Sequence, residues 1–324
     1  MRIMVTGGAG FIGSHFLLDL LDGSYPGLTP TEVVVLDKLT YAGDRRVLDG
    51  MRDARLSFVR ADICDRPVVL RLMKGIDLVV HFAAETHVDR SIAGSDEFLQ
   101  TNVAGTQNLL HCALEAGVGR FVHVSTDEVY GSIEEGSWDE ACPLEPNSPY
   151  SASKASSDLL VRSYHRTYGL DACITRCSNN YGPRQFPEKV IPRFVTTLLE
   201  GGGVPLYGDG SNVREWLHVS DHCRGVALVA EKGRAGETYN IGGGAELSNR
   251  ELTGRLLSIM GLDWDRVRRV PDRKGHDLRY SVDHSKIAAE LGYEPRIGLD
   301  EGLEDVVRWY AGNPHWWKAL TQPA

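Results

Sequence analysis

Long apolar runs are missing from this chain: no stretch approaches the ~18 to 20 uninterrupted apolar residues that a membrane span needs. Long basic runs are missing too. With 35 Lys plus Arg against 44 Asp plus Glu the formal charge is −9, which argues against nucleic acid or an anionic membrane as partner. Cysteine is sparse. Its six residues (Cys64, Cys112, Cys142, Cys173, Cys177 and Cys223) form no CxxC pair, so neither a disulfide framework nor a zinc cluster is expected. His81 and His87, with Asp89 close by, are poorly spaced for a closed metal site, and no metal is expected. Met1–Thr6 runs straight into glycines without the apolar core of a signal peptide. These absences point to a cytoplasmic protein. No internal repeat or low-complexity tract breaks the chain.

What is present is 324 residues of ordinary globular composition, enough for one large domain or two modest ones. Short runs rich in Val and Ile at Arg2–Thr6, Glu32–Asp37, Leu56–Arg60, Leu78–Phe82, Arg120–Ser125 and Ala172–Arg176 read as buried parallel strands. Between them Phe11–Leu21, Arg66–Lys74, Phe98–Ala116 and Tyr150–Tyr168 carry apolar residues at helical spacing. This alternation predicts an α/β fold, a Rossmann-type doubly wound parallel sheet. Turn clusters after Asn179 suggest a first domain over 1–178 and a smaller C-terminal α/β domain over 179–324. A strand near 237–241 is expected to return to the first sheet. The aromatic tail of Trp309, Tyr310, Trp316 and Trp317 reads as packing.

The first strand ends in Thr6-Gly7-Gly8-Ala9-Gly10-Phe11-Ile12-Gly13, followed at once by a helix. Gly7, Gly10 and Gly13 permit a tight turn and close approach of a pyrophosphate, and the helix N-terminus offers free N–H groups to it. Asp37 ends the second strand, placed to accept hydrogen bonds from a ribose; its charge would repel a 2′-phosphate, so NAD is favoured over NADP. Asp62-Ile63, after the third strand, either contacts adenine or caps a turn.

Tyr150-Ser151-Ala152-Ser153-Lys154 begins a helix behind Pro149, and the spacing puts Tyr150 and Lys154 on one face. A tyrosine with a pKa near 10 must gain about 4 kcal/mol of phenolate stabilisation to act as a base at neutral pH. An ammonium about 5 Å away supplies about 3 kcal/mol at an effective dielectric near 20, and an oxidised nicotinamide can add the remainder. Upstream, Ser125-Thr126-Asp127-Glu128 follows the fifth strand, where such sheets bind ligands.

Together these segments resemble the extended short-chain dehydrogenase/reductase family, and within it the dTDP-glucose 4,6-dehydratases. The more specific marks are Asp37-Lys38-Leu39-Thr40-Tyr41-Ala42-Gly43, Ala84-Glu85-Thr86-His87-Val88-Asp89-Arg90-Ser91, Thr126-Asp127-Glu128, Arg176-Cys177-Ser178-Asn179-Asn180-Tyr181-Gly182-Pro183 and Gln185-Phe186-Pro187-Glu188-Lys189. The resemblance implies that Tyr150 takes a C4 hydroxyl proton while hydride passes to NAD, with Lys154 and Thr126 orienting it. It makes Glu128 the base for the C5 proton and a protonated Asp127 the acid for the departing C6 hydroxyl. Around the cofactor it adds Phe11, Ile12, Lys38, Thr40, Ala83, Ala84, Thr86, Asn102 and Asn180 to the glycines, Asp37, Asp62, Ile63, Tyr150 and Lys154.

For a nucleotide sugar the resemblance implies Thr86, Thr126, Asp127, Asn179, Lys189, Val190, Asn249 and Arg273-Lys274-Gly275-His276-Asp277. Lys274 departs from the proline of the family pattern. Arg214 and Arg273 suit a pyrophosphate, and Pro205-Leu206-Tyr207 offers a ring on which a pyrimidine can stack. Arg214 or Asn249 as a surface or capping group, and Tyr207 as core, are the plainer readings. The resemblance also implies a homodimer through the Phe98–Ala116 and Tyr150–Tyr168 helices, although core burial explains the same stripes. A 4-epimerase, a decarboxylase and a non-catalytic NAD-binding regulator are the competing functions.

Overall fold

The computed structural model describes residues 1–272 and 277–321. The apolar runs form β1 (Arg2–Thr6), β2 (Glu32–Asp37), β3 (Leu56–Arg60), β4 (Leu78–His81), β5 (Arg120–Thr126) and β6 (Ala172–Cys177). Later come β7 (Asn179–Tyr181), β8 (Val204–Tyr207), β9 (Val213–His218), β10 (Thr238–Ile241), β11 (Ala245–Ser248) and β12 (Val267–Val270). A seven-stranded sheet in the order β10-β6-β5-β4-β1-β2-β3 is parallel throughout. Every residue of β4, β6 and β10 is buried, because helices cover both faces and leave no solvated side to alternate with. Phe16, Leu20 and Val226 fill one face, and Leu110, Ala113, Val161 and Tyr164 the other. The doubly wound α/β fold expected from the sequence is borne out. Strand order reverses between β1 and β4, which opens a crevice beyond their carboxyl ends.

Two local departures from the expected elements bear on that crevice. Phe98–Ala116 is helical but not one regular helix: Leu99–Gly105 forms π turns before the α-helix Thr106–Ala116 resumes. Asn102 lies in the π segment, facing inward, where its side chain bonds both backbone groups of Glu85. A one-residue widening of this kind leaves the apolar period almost unchanged and so escapes a reading of the pattern. A short helix at Val88–Ala93 was not expected; His87 caps it, Nδ1 accepting from Arg90 N.

After residue 178 the chain builds a three-stranded sheet, β11-β9-β7, and a two-stranded pair, β12-β8. These pack with Phe194, Leu256, Leu303, Val306, Tyr310 and Trp317 into a third core, which takes in the aromatic tail. β10 returns beside β6, and the Val219–Lys232 helix returns with it onto the large sheet. Gly225 of that helix lies so close to β10 that a Cβ would sit 2.8 Å from Ile241.

Gly13 sets how closely the first helix approaches β1, since a Cβ there would stand 2.3 Å from Gly7 O and 2.9 Å from Gly8 Cα. Neither backbone atom can yield cheaply. Gly13→Ala is expected to cost roughly 1 to 3 kcal/mol of stability, read from the urea midpoint. An unchanged midpoint would mean that the glycine turn tolerates a wider helix–strand gap.

Candidate active site

The crevice is built first from backbone. Gly7 adopts φ +71°, and a Cβ on it would lie 2.5 Å from Ala83 N, so β1 and the chain leaving β4 meet only through a glycine. Gly10 precedes the Phe11–Asp22 helix and supplies no side-chain cap, which leaves the first N–H groups of the helix facing the crevice beside Phe11, Ile12 and Gly13. Asp37 is held by two backbone donors, Ala9 N at 3.0 Å and Leu39 N at 2.8 Å. Burial nevertheless raises its pKa. Lys38 pairs with Asp62 at 2.7 Å, and Asp62 also accepts from Cys64 N at 2.9 Å, so this carboxylate caps a turn and belongs to the cleft wall together. Thr40, Ile63, Ala83, Ala84 and Thr86 line the same cleft. Asn102 is not among the lining residues: buried, its side chain bonds Glu85 and Ser153 and so braces the 83–86 segment. A glycine cradle, an uncapped helix N-terminus and a fixed acidic residue at the second strand fit a dinucleotide without a 2′-phosphate.

The second wall carries the ionisable groups. Tyr150 and Lys154 rise from the Pro149–Tyr168 helix, whose start is fixed by a Ser148–Ser151 capping box and Pro149. Lys154 Nζ donates to Val124 O at 2.8 Å, and burial lowers its pKa to about 8 against the raising influence of Asp158. Tyr150 departs from expectation. Burial, then the charge of Glu128, hold its pKa well above 10, and a hydrogen bond from Thr126 opposes them. One ammonium does not offset this desolvation, because burying an ion costs several kcal/mol.

Thr126 ends β5, and Asp127–Tyr130 forms a 3-10 turn directly after it. The Thr126 hydroxyl donates to Asp127 Oδ1 at 3.2 Å and accepts from Glu128 N at 3.3 Å. Asp127 is 2% exposed, and its Oδ2 has no protein partner. Burial, then Glu128 and Glu215, raise its pKa well above the usual carboxylate value, which favours its neutral form. Glu128 is less buried and faces the same cleft. The cleft therefore holds a carboxyl group whose neutral form burial favours, beside a second carboxyl group and a phenol.

The remaining expected residues separate into groups. Asn179, Asn180 and Lys189 line the cleft, with Asn180 Oδ1 accepting from His222 and Lys189 Nζ donating to Thr86 O at 3.2 Å. Val190 begins the next helix and packs into the third core. Pro205, Leu206 and Tyr207 lie on β8 away from the cleft wall, Leu206 buried and Tyr207 exposed, which excludes the core reading for that ring. Arg214 is not a surface group: it is 6% exposed, donates to Asp277 O at 3.0 Å and lies over the Tyr280 ring. Asn249 opens a helix, its N–H donating to Asn212 O. Asp277 accepts from Asn147 at 2.6 Å and from the Tyr280 hydroxyl. Arg273, Lys274, Gly275 and His276 lie outside the described residues. Among the described residues no cluster of three or more metal-ligating side chains occurs. Sequence reasoning passed over Glu85, Thr101, Gln185, Phe186 and Glu188, which also line the cleft. Glu85 and the 185–188 segment sit inside the motifs quoted above, so the signal was present but unassigned.

A glycine cradle under a parallel sheet, an acidic second-strand end and a Thr, Tyr and Lys set beside it define a nicotinamide-dependent enzyme of the extended short-chain dehydrogenase/reductase class. A family model described as GDP-mannose 4,6 dehydratase matches residues 4–306, and the chain belongs to that family. It is 62% identical over 322 residues to a dTDP-glucose 4,6-dehydratase of Streptomyces antibioticus, covering 99% of this chain and 95% of that one. It is 59% identical over 319 residues to a protein of the same name from an Actinoplanes species, covering 98% and 100%. The crystal structure of DesIV (dTDP-glucose 4,6-dehydratase) from Streptomyces venezuelae, solved with NAD and TYD bound, superposes with a TM-score of 0.98 at 64% identity, covering 99% and 100%.

The raised Asp127 pKa has a stability consequence of definite sign. The folded chain keeps a proton that the unfolded chain releases above its ordinary 3.8, so the contribution is full below 3.8 and is lost as pH rises toward the folded value. Asn at this position does not titrate. Urea unfolding of wild type and Asp127→Asn from about pH 5 to about pH 9 should show wild type losing ground by up to about 1.4 kcal/mol per pH unit. A difference that stays flat would mean an ionised Asp127 in the fold.

Proposed function

We propose that this chain is an NAD-dependent dTDP-glucose 4,6-dehydratase, a hydro-lyase that forms dTDP-4-keto-6-deoxyglucose. The observation that carries this reading is the buried Asp127, its Oδ2 without a protein partner, beside Glu128 within the cleft that holds Tyr150. Water leaves across C5 and C6 only after C4 has become a ketone, because the ketone acidifies the C5 proton. Tyr150 removes the C4 hydroxyl proton, with Thr126 lining the same cleft and Lys154 one helical turn further along its helix. NAD, when bound, supplies the acceptor for the C4 hydride and returns that hydride to C6. Glu128 takes the C5 proton; Asp127 gives its proton to the departing C6 hydroxyl, so one C–H and one C–O bond break as water forms. Glu128 returns its proton to C5, and the proton that Tyr150 took from the C4 hydroxyl restores Asp127, which completes the sugar and the site. Gly7, Gly13, Asp37, Lys38 and Asp62 hold the dinucleotide, and Lys189, Arg214 and Tyr207 contribute to the nucleotide-sugar side.

The Asp127 and Glu128 pair favours this reading over a 4-epimerase, which needs the ketone but no elimination, and over a non-catalytic regulator. We further propose a cytoplasmic homodimer. Leu99, on the helical run before Thr106, and Leu159, on the Pro149–Tyr168 helix, are more than half exposed, as is Ile92 nearby in sequence to the first. The six cysteines are all free, as in a reducing compartment, and no described helix is long and apolar enough to cross a membrane.

The test is incubation with dTDP-glucose deuterated at C4, read by mass spectrometry and NMR. Loss of one water with deuterium on C6 is expected. An unchanged mass with inverted C4 would mean an epimerase, and no turnover of any nucleotide sugar would mean a binding protein. Asp127→Asn should oxidise C4 but dehydrate about 100- to 1,000-fold more slowly, and unchanged turnover would remove Asp127 from the acid role.

A further inference from the structure

The turn that carries Asp127 and Glu128 is a single 3-10 turn, a form with weak hydrogen-bond geometry that does not hold a side chain to sub-ångström accuracy by itself. Its first end is tied to Thr126. Its last end leads into Gly131 at φ +90°, where a Cβ would stand 2.4 Å from Glu145 O. Between these lies Tyr130, 2% exposed and remote from the cleft lining.

Tyr130 is held on every side. Its hydroxyl accepts from Arg176 Nη1 at 2.8 Å and donates to Asn240 Oδ1 at 2.9 Å. Its ring stacks on Trp138 at 5.4 Å, and the Arg176 guanidinium lies 4.7 Å from the ring centroid. Arg176 Nε in turn donates to Asp158 Oδ2 at 2.8 Å, an ion pair with both partners at 1% exposure or less. Asp158 sits one turn beyond Lys154 on the same helix. Asn240, on β10, also donates to Trp138 O at 2.9 Å.

We infer that Tyr130 is a positioning residue for the elimination step, fixing the Asp127 and Glu128 carboxyl groups through a buried Asp158, Arg176, Tyr130 and Asn240 chain that also braces the Tyr150 and Lys154 helix. In a 3-10 turn residues three apart are eclipsed, so a shift of Tyr130 is transmitted directly to Asp127. The chain ties both arms of the site, the turn after β5 and the helix bearing the phenol, to one guanidinium. This inference rests on the dehydratase reading and adds to it a residue that touches neither substrate nor cofactor.

Tyr130→Phe removes one oxygen and keeps the stacked ring. Its expected signature is a split between steps: single-turnover C4 oxidation, followed by the absorbance of reduced nicotinamide, stays within about 2-fold of wild type. Formation of the 6-deoxy ketone falls roughly 10- to 100-fold, and KM for dTDP-glucose is unchanged. Asn240→Ala, which removes the acceptor on the other side of the phenol, should show the same split. Equal slowing of both steps, unchanged turnover in a folded variant, or failure of both variants to fold would overturn the positioning role. Wild type run alongside separates the two ideas: if it does not dehydrate dTDP-glucose the dehydratase reading fails, and if only the variants match it the inference fails alone.

Discussion

Exclusion of water from the carboxyl ends of β5 and β6 decides the charge of every group gathered there. Burial is the leading cause of the upward shifts of Asp127 and Tyr150 and of the downward shift of Lys154. It also keeps His81 and His123, one layer below, neutral. Water would level these values toward their ordinary range and with them the division of labour among the side chains. The parallel sheet is what supplies the dry floor. Its strands β4 and β6 are buried on both faces, so their ends open into a crevice walled by protein on either side.

That constraint also revises the arithmetic of the phenol. A lysine one turn away was expected to supply most of the stabilisation of a phenolate, yet desolvation and Glu128 together outweigh it. Lys154 is itself strained by burial, with its pKa near 8 and one proton committed to Val124 O. A further positive charge in the cleft would favour the phenolate and so act against this upward shift.

What the sequence made legible was local. The strands β1 to β6 announce themselves because a strand covered on both faces is a run of Val, Ile and Leu, and the glycine turn because only glycine can pass that close to Ala83. Tyr150 and Lys154 follow from the period of one helix. What stayed hidden depends on contacts between distant segments or on breaks in the period. The π turns at Leu99–Gly105 mimic a regular helix in their apolar spacing, so the inward turn of Asn102 could not be read. The return of Val219–Lys232 to the first sheet and the pairing of Lys38 with Asp62 are tertiary facts with no periodic trace. Arg176 was legible as part of a buried strand, but its pairing with Asp158 of a helix 18 residues earlier has no trace in the sequence; only the fold brings the two together.

The assignment of acid and base in the proposed elimination can be argued from burial without reference to residue type. Two adjacent carboxyl groups in one cleft repel each other when both are charged, so the pair favours holding one proton. The proton belongs on the member whose ionised form loses more hydration. Asp127, at 2% exposure and facing Glu215 as well, is that member; Glu128, nearer solvent, is the one that can carry charge. In the proposed reaction Asp127, whose neutral form burial favours, is suited to protonate a leaving hydroxyl, and the less buried Glu128 to take a proton from an acidified C–H. In the proposed cycle Glu128 returns its proton to C5, and the proton that Tyr150 took from the C4 hydroxyl is the one left to restore Asp127. The same asymmetry of burial that favours the proton on Asp127 at the start favours it there at the end.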